Sequence, residues 1–557
     1  MYYLSGALVA FIIAIVILRQ RQRKRKLLRD QELASRWGSQ KKAEFNFNDI
    51  CRYTVFTRND TQKQLHDRTL SDCSFYDVFP IIDRTTSSVG QQFLFSKLVR
   101  PVKDSTTLKE FNNHVEAFRS NEELRTRLTK ELFKLQSEDA YFISSLFKDR
   151  LLEKPWWFNL AYVNVGALIV FALLSLAYPP LIAVALIPVI INFLIHYWNS
   201  FNTFIFLKSL PQLSILTDVA AVINNLYKTN HSDAVATAVK ELKPLQWRLT
   251  FLNSRSKGSV TDDLGSAFSY FIELLKAVIL LEFFLLFDTI KAVDKHKVNI
   301  KLLFNFTGEI DSTISVANLR SSHYRWCTPQ FNNGEKEFYL KEAYNPLVKN
   351  CVTNDLHLDG KSALITGSNM SGKSTFLRTV LLNSILAQSI YTCFASEFRS
   401  PMADHFSSIQ IGDNILEGKS YYFEEVTVMK ELLSAVTPSA TNLFILDEVF
   451  KGTNTMERIA AAKAILTYLN KHNNIVIVAS HDIELVEWLS SEYDLYHFDE
   501  NVRENDLHFD HKIKQGPLRG GNAIRILELS GYPKEVVAEA RELVNTLEIA
   551  SPDAKRL

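Results

Sequence analysis

The sequence predicts a multidomain chain. A mostly α-helical core and lever region carries transmembrane helices and precedes a C-terminal α/β domain built on a phosphate-binding loop. Three observations predict it. Residues 367–375 read GSNMSGKST, the form Gly-x4-Gly-Lys-Ser, set between a strand-like run, Ser362–Thr366, and a helix-like run, Phe376–Leu386. Residues 158–178 and 181–197 are apolar blocks without Asp, Glu, Lys or Arg, split by Pro179-Pro180. Helical patterns dominate from Lys208 to Lys291.

Taken in order, residues 2–18 hold no charge. As a helix they span about 25 Å, close to the lower limit for a bilayer. The basic run behind them includes Arg19, Arg21, Arg23, Lys24, Arg25, Lys26 and Arg29. A basic flank on the C-terminal side reads as an uncleaved anchor, residues 1–18, with its N-terminus outside. Residues 19–66 form a juxtamembrane segment and lead-in. Their charge suits anionic lipid, and it also suits nucleic-acid phosphates. Residues 67–155 read as the first part of the helical core. Residues 156–198 read as a transmembrane hairpin, with Trp156, Trp157, Tyr178, Tyr197 and Trp198 where interfacial aromatics belong. A hairpin returns the chain to the side it left, so 19–155 and 199–557 are both expected on the cytoplasmic face. Residues 199–335 continue the helical core and lever. Within them Leu274–Phe287 holds Lys276 and Glu282 and reads as a buried core helix. The α/β domain occupies 336–548 and a tail 549–557.

The chemistry sits at strand ends. In the 367–375 loop the backbone of Gly367, Ser368, Asn369, Met370, Ser371, Gly372 and Thr375 can turn N–H groups toward phosphate oxygens. Lys373 supplies a point charge to the β- and γ-phosphates, and the Ser374 hydroxyl can ligate Mg²⁺. Residues 443–448, Leu-Phe-Ile-Leu-Asp-Glu, form a buried-strand run ending in two carboxylates. Asp447 can hold Mg²⁺ and Glu448 can polarise the attacking water. A third apolar run, Ile475–Ala479, ends at Ser480-His481-Asp482. His481 there can contact the γ-phosphate or its water. Loop, acid pair and His, each at a strand end, form the layout of an ATPase sheet of the ATP-binding-cassette type, with ATP and Mg²⁺ as the expected ligands.

With these residues in view, the region from Tyr344 to Glu548 resembles the ATPase domain of the MutS family of DNA mismatch-repair proteins. The resemblance lies in the Asn369-Met370 pair inside the loop, in DEVFKGTN (447–454) with Gly452 and Thr453, and in Ser480-His481. It also lies in IGDNILEGKSYYFEE, with Gly412, Ser420 and Glu425. A weaker similarity covers DRTLSDCSFYDVFPIIDRTTSSVGQQFLFSKLVRP (67–101), which looks like the start of the family's helical core. The resemblance implies a homodimer with composite sites, in which Ser420 reaches the partner's nucleotide, and it implies DNA as a ligand. The chain also departs from the family. Val449-Phe450-Lys451 replaces small and Arg residues, and Cys351-Val352 stands where an aromatic would face adenine. Only about 60 residues precede the core, so the mismatch-reading and connector domains have no room.

The net charge of +2 says nothing about nucleic acid, because the charge is local. Five cysteines without metal or disulfide spacing suit a reducing compartment. The expected function is a membrane-tethered MutS-like ATPase on the inner face of the cell membrane, coupling ATP hydrolysis to DNA binding. The alternative is a membrane ATPase acting on a protein or membrane partner without DNA.

Overall fold

The computed structural model describes residues 37–57, 63–148, 151–252, 274–332, 335–410, 421–450, 454–503, 506–518 and 531–550, with a few single residues besides. The expected anchor 1–18, Ser420, Gly452, Thr453 and residues 551–557 lie outside them. Two compact units divide the chain, one of residues 1–62, 82–97 and 112–323, the other of 63–81, 98–111 and 324–557.

The first unit is helical. Its longest helix, Lys297–Arg320, is buried along nearly its whole second half. Residue size sets how closely the helix Ser88–Leu98 crosses it. A Cβ on Gly90 would fall 2.1 to 2.6 Å from the Asp311 side chain, and a Cβ on Gly308 would fall 2.5 Å from Phe93. Asp311 cannot swing away. It accepts hydrogen bonds from the Thr86 and Ser87 amides at 3.0 and 2.7 Å and from the Ser87 hydroxyl at 2.5 Å. Burial pushes its carboxyl up to about 6 despite these donors. Gly90→Ala is therefore expected to destabilise the protein by about 2–3 kcal/mol, the cost of overpacking a pinned contact. Gly166→Ala, inside a helix and where an added Cβ meets nothing within 4 Å, should not lower the melting temperature and should raise it slightly. Equal melting temperatures for the two variants would refute this account of the crossing.

Residues 158–202 fold as a helical hairpin, Phe158–Leu174 and Leu181–Asn202. Its long apolar side chains point outward: Val163, Leu173, Leu176, Ile182, Ile190 and Leu194 are all more than half exposed. The inner face is held by polar and aromatic contacts. Asn164 Nδ2 donates to Asn192 Oδ1 at 2.7 Å, and Trp157 meets Trp198 edge-on at 4.9 Å. Among the described residues two helices are long and apolar enough to cross a membrane, Leu181–Asn202 and Phe204–Leu226. They differ in burial. The most apolar stretch of the second is 56% buried and that of the first only 17%. Phe204–Leu226 thus spends its apolar surface on protein contacts.

The segment expected as one buried helix over Leu274–Phe287 is buried for the most part, Lys276 and Glu282 included, but it is not one helix. Leu280 takes a left-handed conformation, φ 54°, and caps a helix that begins at Leu281 and runs to Lys295. Leu274 and Leu275 are exposed. Phe283, Phe284 and Phe287 pack against Phe158, and Asn192 Nδ2 donates to the Val278 carbonyl at 2.7 Å. The break leaves a carbonyl in need of a donor, and a fully buried Asn supplies it.

Among the described residues the second unit carries ten strands: β1 (Gln330–Asn332), β2 (Glu337–Ala343), β3 (Asn354–Asp359), β4 (Ser362–Thr366), β5 (Glu397–Pro401), β6 (Asp404–Ser408), β7 (Asn442–Asp447), β8 (Ile475–Ala479), β9 (Tyr493–Arg503) and β10 (Asp506–Gln515). They form a four-stranded sheet, β1-β5-β2-β3, and a six-stranded sheet, β10-β9-β4-β8-β7-β6. In the larger sheet every pairing is parallel except β10 with β9. The strands β4, β7 and β8 are buried at every position. This is why their sequences are unbroken apolar runs rather than alternating ones. Leu446, Val476 and Val478 pack with Leu432 and Leu466 from flanking helices, each burial contributing about 1.5–3 kcal/mol.

Residues 63–81 and 98–111, read from sequence as helical core from 67 onward, pack with this unit. The fully buried Asp72 accounts for the attachment. Its carboxylate accepts from the Ser407 hydroxyl at 2.7 Å and from the Ile409 and Gln410 amides at 3.1 and 2.9 Å. One side chain thereby satisfies the backbone beyond the end of β6.

Candidate nucleotide site

Parallel register brings the chemistry together. Ala479 of β8 pairs with Ile365 of β4 on one side and with Asp447 of β7 on the other. The three strands therefore end level, and the chains leaving them emerge in one row at the carboxyl edge, where open α/β sheets hold ligands. The ladder extends one step further. The Ser480 amide donates to the Ile365 carbonyl at 3.0 Å and the Glu448 amide to the Ala479 carbonyl at 2.9 Å.

Beyond β4, Gly367 (φ 138°) and Gly372 (φ 111°) occupy positive-φ conformations that only glycine adopts without strain. Gly367 is also closed to a side chain by contact, since an added Cβ would fall 2.7 Å from the Phe498 carbonyl oxygen. Between them Asn369–Ser371 makes one tight turn, with the Ser371 hydroxyl donating to the Ser368 carbonyl at 2.6 Å. Met370 is exposed at the tip. The helix Lys373–Ile390 starts at the Lys itself, so its N-terminal amides and positive dipole end face the loop. Lys373 is fully buried and donates to the Gly367 carbonyl. The Ser374 hydroxyl donates to Asp447 Oδ2. Thr375 is exposed, and its carbonyl accepts from the Thr379 hydroxyl.

Glu448 is the residue whose placement sequence reading could not supply. It lies just past β7 with φ 59°, in the left-handed region. For a residue with a Cβ this conformation costs about 1–2 kcal/mol. It turns the carboxylate toward β8, where Glu448 Oε1 lies 2.8 Å from His481 Nε2. The same His481 nitrogen lies 3.3 Å from Lys373 Nζ. Lys373, Ser374, Asp447, Glu448 and His481 thus form one connected cluster, with His481 linking the base candidate to the loop lysine.

Two further supports carry no sequence signal of their own. Arg458 clamps Asp482 through two hydrogen bonds of 3.1 and 2.6 Å, fixing the turn that carries His481. The hydrogen bonds to Asp482 raise the Arg458 guanidinium above its ordinary range. On the other side, His511 of β10 contacts the Ser371 carbonyl through Nδ1 at 3.0 Å. Asn354 holds β10 there, donating to the His511 carbonyl at 2.9 Å and accepting from the Ile513 amide at 2.8 Å. Ser420 lies outside the described residues, and Cys351 is half-buried with its sulfur accepting from the Asn345 amide.

Ser374 and Asp447 offer hard oxygen donors side by side. Mg²⁺ is commonly held by one or two protein oxygens together with substrate phosphates, and these two fit that role. Among the described residues no cluster of three or more His, Cys, Asp or Glu forms an all-protein metal cage.

The sheet order, the glycine loop leading into a helix and the acid–histidine row make an α/β domain that gathers its polar groups at the carboxyl edge of the sheet. Residues 363–548 match the family model MutS domain V. Similar curated proteins include the DNA mismatch repair protein MutS of Aquifex pyrophilus, 32% identical over 271 residues, which is 47% of this chain and 31% of that protein. The protein of the same name from Chloroflexus aurantiacus (strain ATCC 29366) is 31% identical over 46% of this chain and 28% of its own. That from Staphylococcus epidermidis is 26% identical over 53% and 35%. The region of this chain that is similar to them spans about a third of the length of these relatives.

Proposed function

We propose that this protein is a membrane-held MutS-like ATPase that binds and hydrolyses ATP as a homodimer and couples turnover to DNA. One observation carries the enzymatic part: the convergence of Lys373, Ser374, Asp447, Glu448 and His481. The backbone of 367–375 and the Lys373 ammonium bind the phosphates. Mg²⁺, held by Ser374 and Asp447, would neutralise charge developing on the phosphoryl oxygens. Glu448 takes the proton of the attacking water, and His481 holds that carboxylate in place. Ser420 would complete the partner's site.

The membrane part rests on the apolar exterior of residues 158–202. Burying those side chains in lipid would make a multi-pass inner-membrane protein, with the 1–18 anchor as a further span, and the basic run behind that anchor favours the cytoplasmic side for the ATPase domain. DNA, mismatched or structured, comes from family similarity. A second reading drops DNA: the engine moves a protein or membrane partner, and the same exposed hairpin favours it.

The two readings separate in one measurement. Detergent-solubilised protein is titrated with duplex, branched and mismatched DNA at several salt concentrations, with and without ATP. For the first reading, log affinity falls linearly with log salt and responds to ATP. No salt-dependent affinity for any of these structures decides for the second.

A further inference from the structure

The chain passes into the C-terminal unit at Tyr324, three residues before Cys327. Cys327 stands opposite Cys393, which follows the loop helix Lys373–Ile390 after the left-handed Tyr391 (φ 51°). The Cys327 amide donates to the Cys393 carbonyl at 3.0 Å, and the Cys393 amide donates back at 2.9 Å. The two residues are therefore a doubly hydrogen-bonded antiparallel pair with side chains on one face. Such pairs hold their Cα atoms about 5.5 Å apart, inside the range a disulfide spans. Their Cβ atoms lie toward the wide end of about 4.5–5.5 Å, whereas a relaxed disulfide needs about 3.5–4.5 Å. A bridge here is reachable by a shift of roughly 1 Å, and the strain makes it easy to reduce. Exposure divides the roles. Cys327 is partly exposed and Cys393 fully buried, as an attacking thiol and a resolving thiol should be.

We infer that Cys327 and Cys393 are a reversible dithiol–disulfide pair, closed by a small-molecule disulfide of the glutathione type. The Cys327 thiolate attacks one sulfur of the oxidant. A mixed disulfide forms and one small thiol leaves. The Cys393 thiolate then attacks the Cys327 sulfur, forming the protein bridge and expelling the second small thiol. The protein loses two hydrogens with two electrons, and the oxidant gains them. Closure ties the stretch that leads into the ATPase domain to the far end of the helix whose first turn holds Lys373 and Ser374. The Cys393 sulfur already contacts that helix, 3.6 Å from the Asn383 carbonyl oxygen.

The test is to incubate the full chain with oxidised glutathione, quench in acid, alkylate and map by mass. Free thiols are expected to fall from five to three, with one crosslinked peptide pair joining Cys327 to Cys393. Excess reduced glutathione should restore all five. This covalent readout does not depend on ATP hydrolysis. A second arm, which rests on the ATPase reading, follows turnover: it should change on oxidation and revert on reduction. Cys327→Ser, a near-isosteric change at a partly exposed position, should abolish both responses. Five alkylated thiols after oxidation, a bridge through any other cysteine, or a glutathione adduct on Cys327 that never resolves would overturn the pairing. A bridge that forms without altering turnover would overturn its role as a switch.

Discussion

Glu448→Gln is expected to keep ATP binding and to lower turnover by about 10²–10⁴-fold, the range contributed by a positioned general base. That corresponds to roughly 3–5 kcal/mol of barrier. The substitution keeps shape and hydrogen-bonding capacity, so the contact at 2.8 Å with His481 can persist in altered form. The left-handed backbone at φ 59° is as tolerable for Gln as for Glu. What is lost is the capacity to take a proton from water. Binding depends on other groups, the loop amides and Lys373, which the change leaves alone. Filter binding of ATP, phosphate release and a thermal melt distinguish these effects. Unchanged turnover would remove Glu448 as the base. Lost binding together with a lowered melt would mean that the strained residue serves the fold instead.

The second large effect concerns the hairpin. A chain lacking residues 1–30 should still sediment with membranes through residues 158–202. Adding Leu173→Lys and Ile190→Lys should release it to the aqueous fraction. Both side chains are more than half exposed, so the lysines break no internal packing. In lipid each would cost about 3 kcal/mol, enough in sum to shift partition by orders of magnitude. Flotation of both proteins on a density gradient reads this out. If the shortened chain with its natural hairpin is wholly aqueous, the apolar face is covered by something other than lipid and the membrane assignment falls.

The two effects differ in how far the sequence anticipates them. Ser362–Thr366 appears as a strand with the boundaries read from its apolar run. The helical hairpin follows from two uncharged blocks and a Pro-Pro break. The loop helix begins three residues before the expected Phe376, since Gly372 in the left-handed conformation starts it at Lys373. Leu274–Phe287 misled for a physical reason: nothing local marks Leu280 as left-handed, and the donor that satisfies the neighbouring carbonyl is Asn192, far back in the hairpin. Nor does anything local mark Asp72, whose three donors are the Ser407 hydroxyl of β6 and the Ile409 and Gln410 amides just beyond that strand.

The amino-acid order by itself determined the elements and the residue types of the site: a glycine loop before a helix, two acids after a buried strand, a His after another. These depend on near neighbours, through the conformational freedom of glycine and the apolar runs of a covered sheet. Only the tertiary structure decided that Ala479 pairs with both Ile365 and Asp447, and that Glu448 turns back to meet His481. Those facts come from strand register between distant parts of the chain and from a strained φ whose partners, Ala479 and His481, belong to the next strand and the turn after it, and no local pattern encodes them.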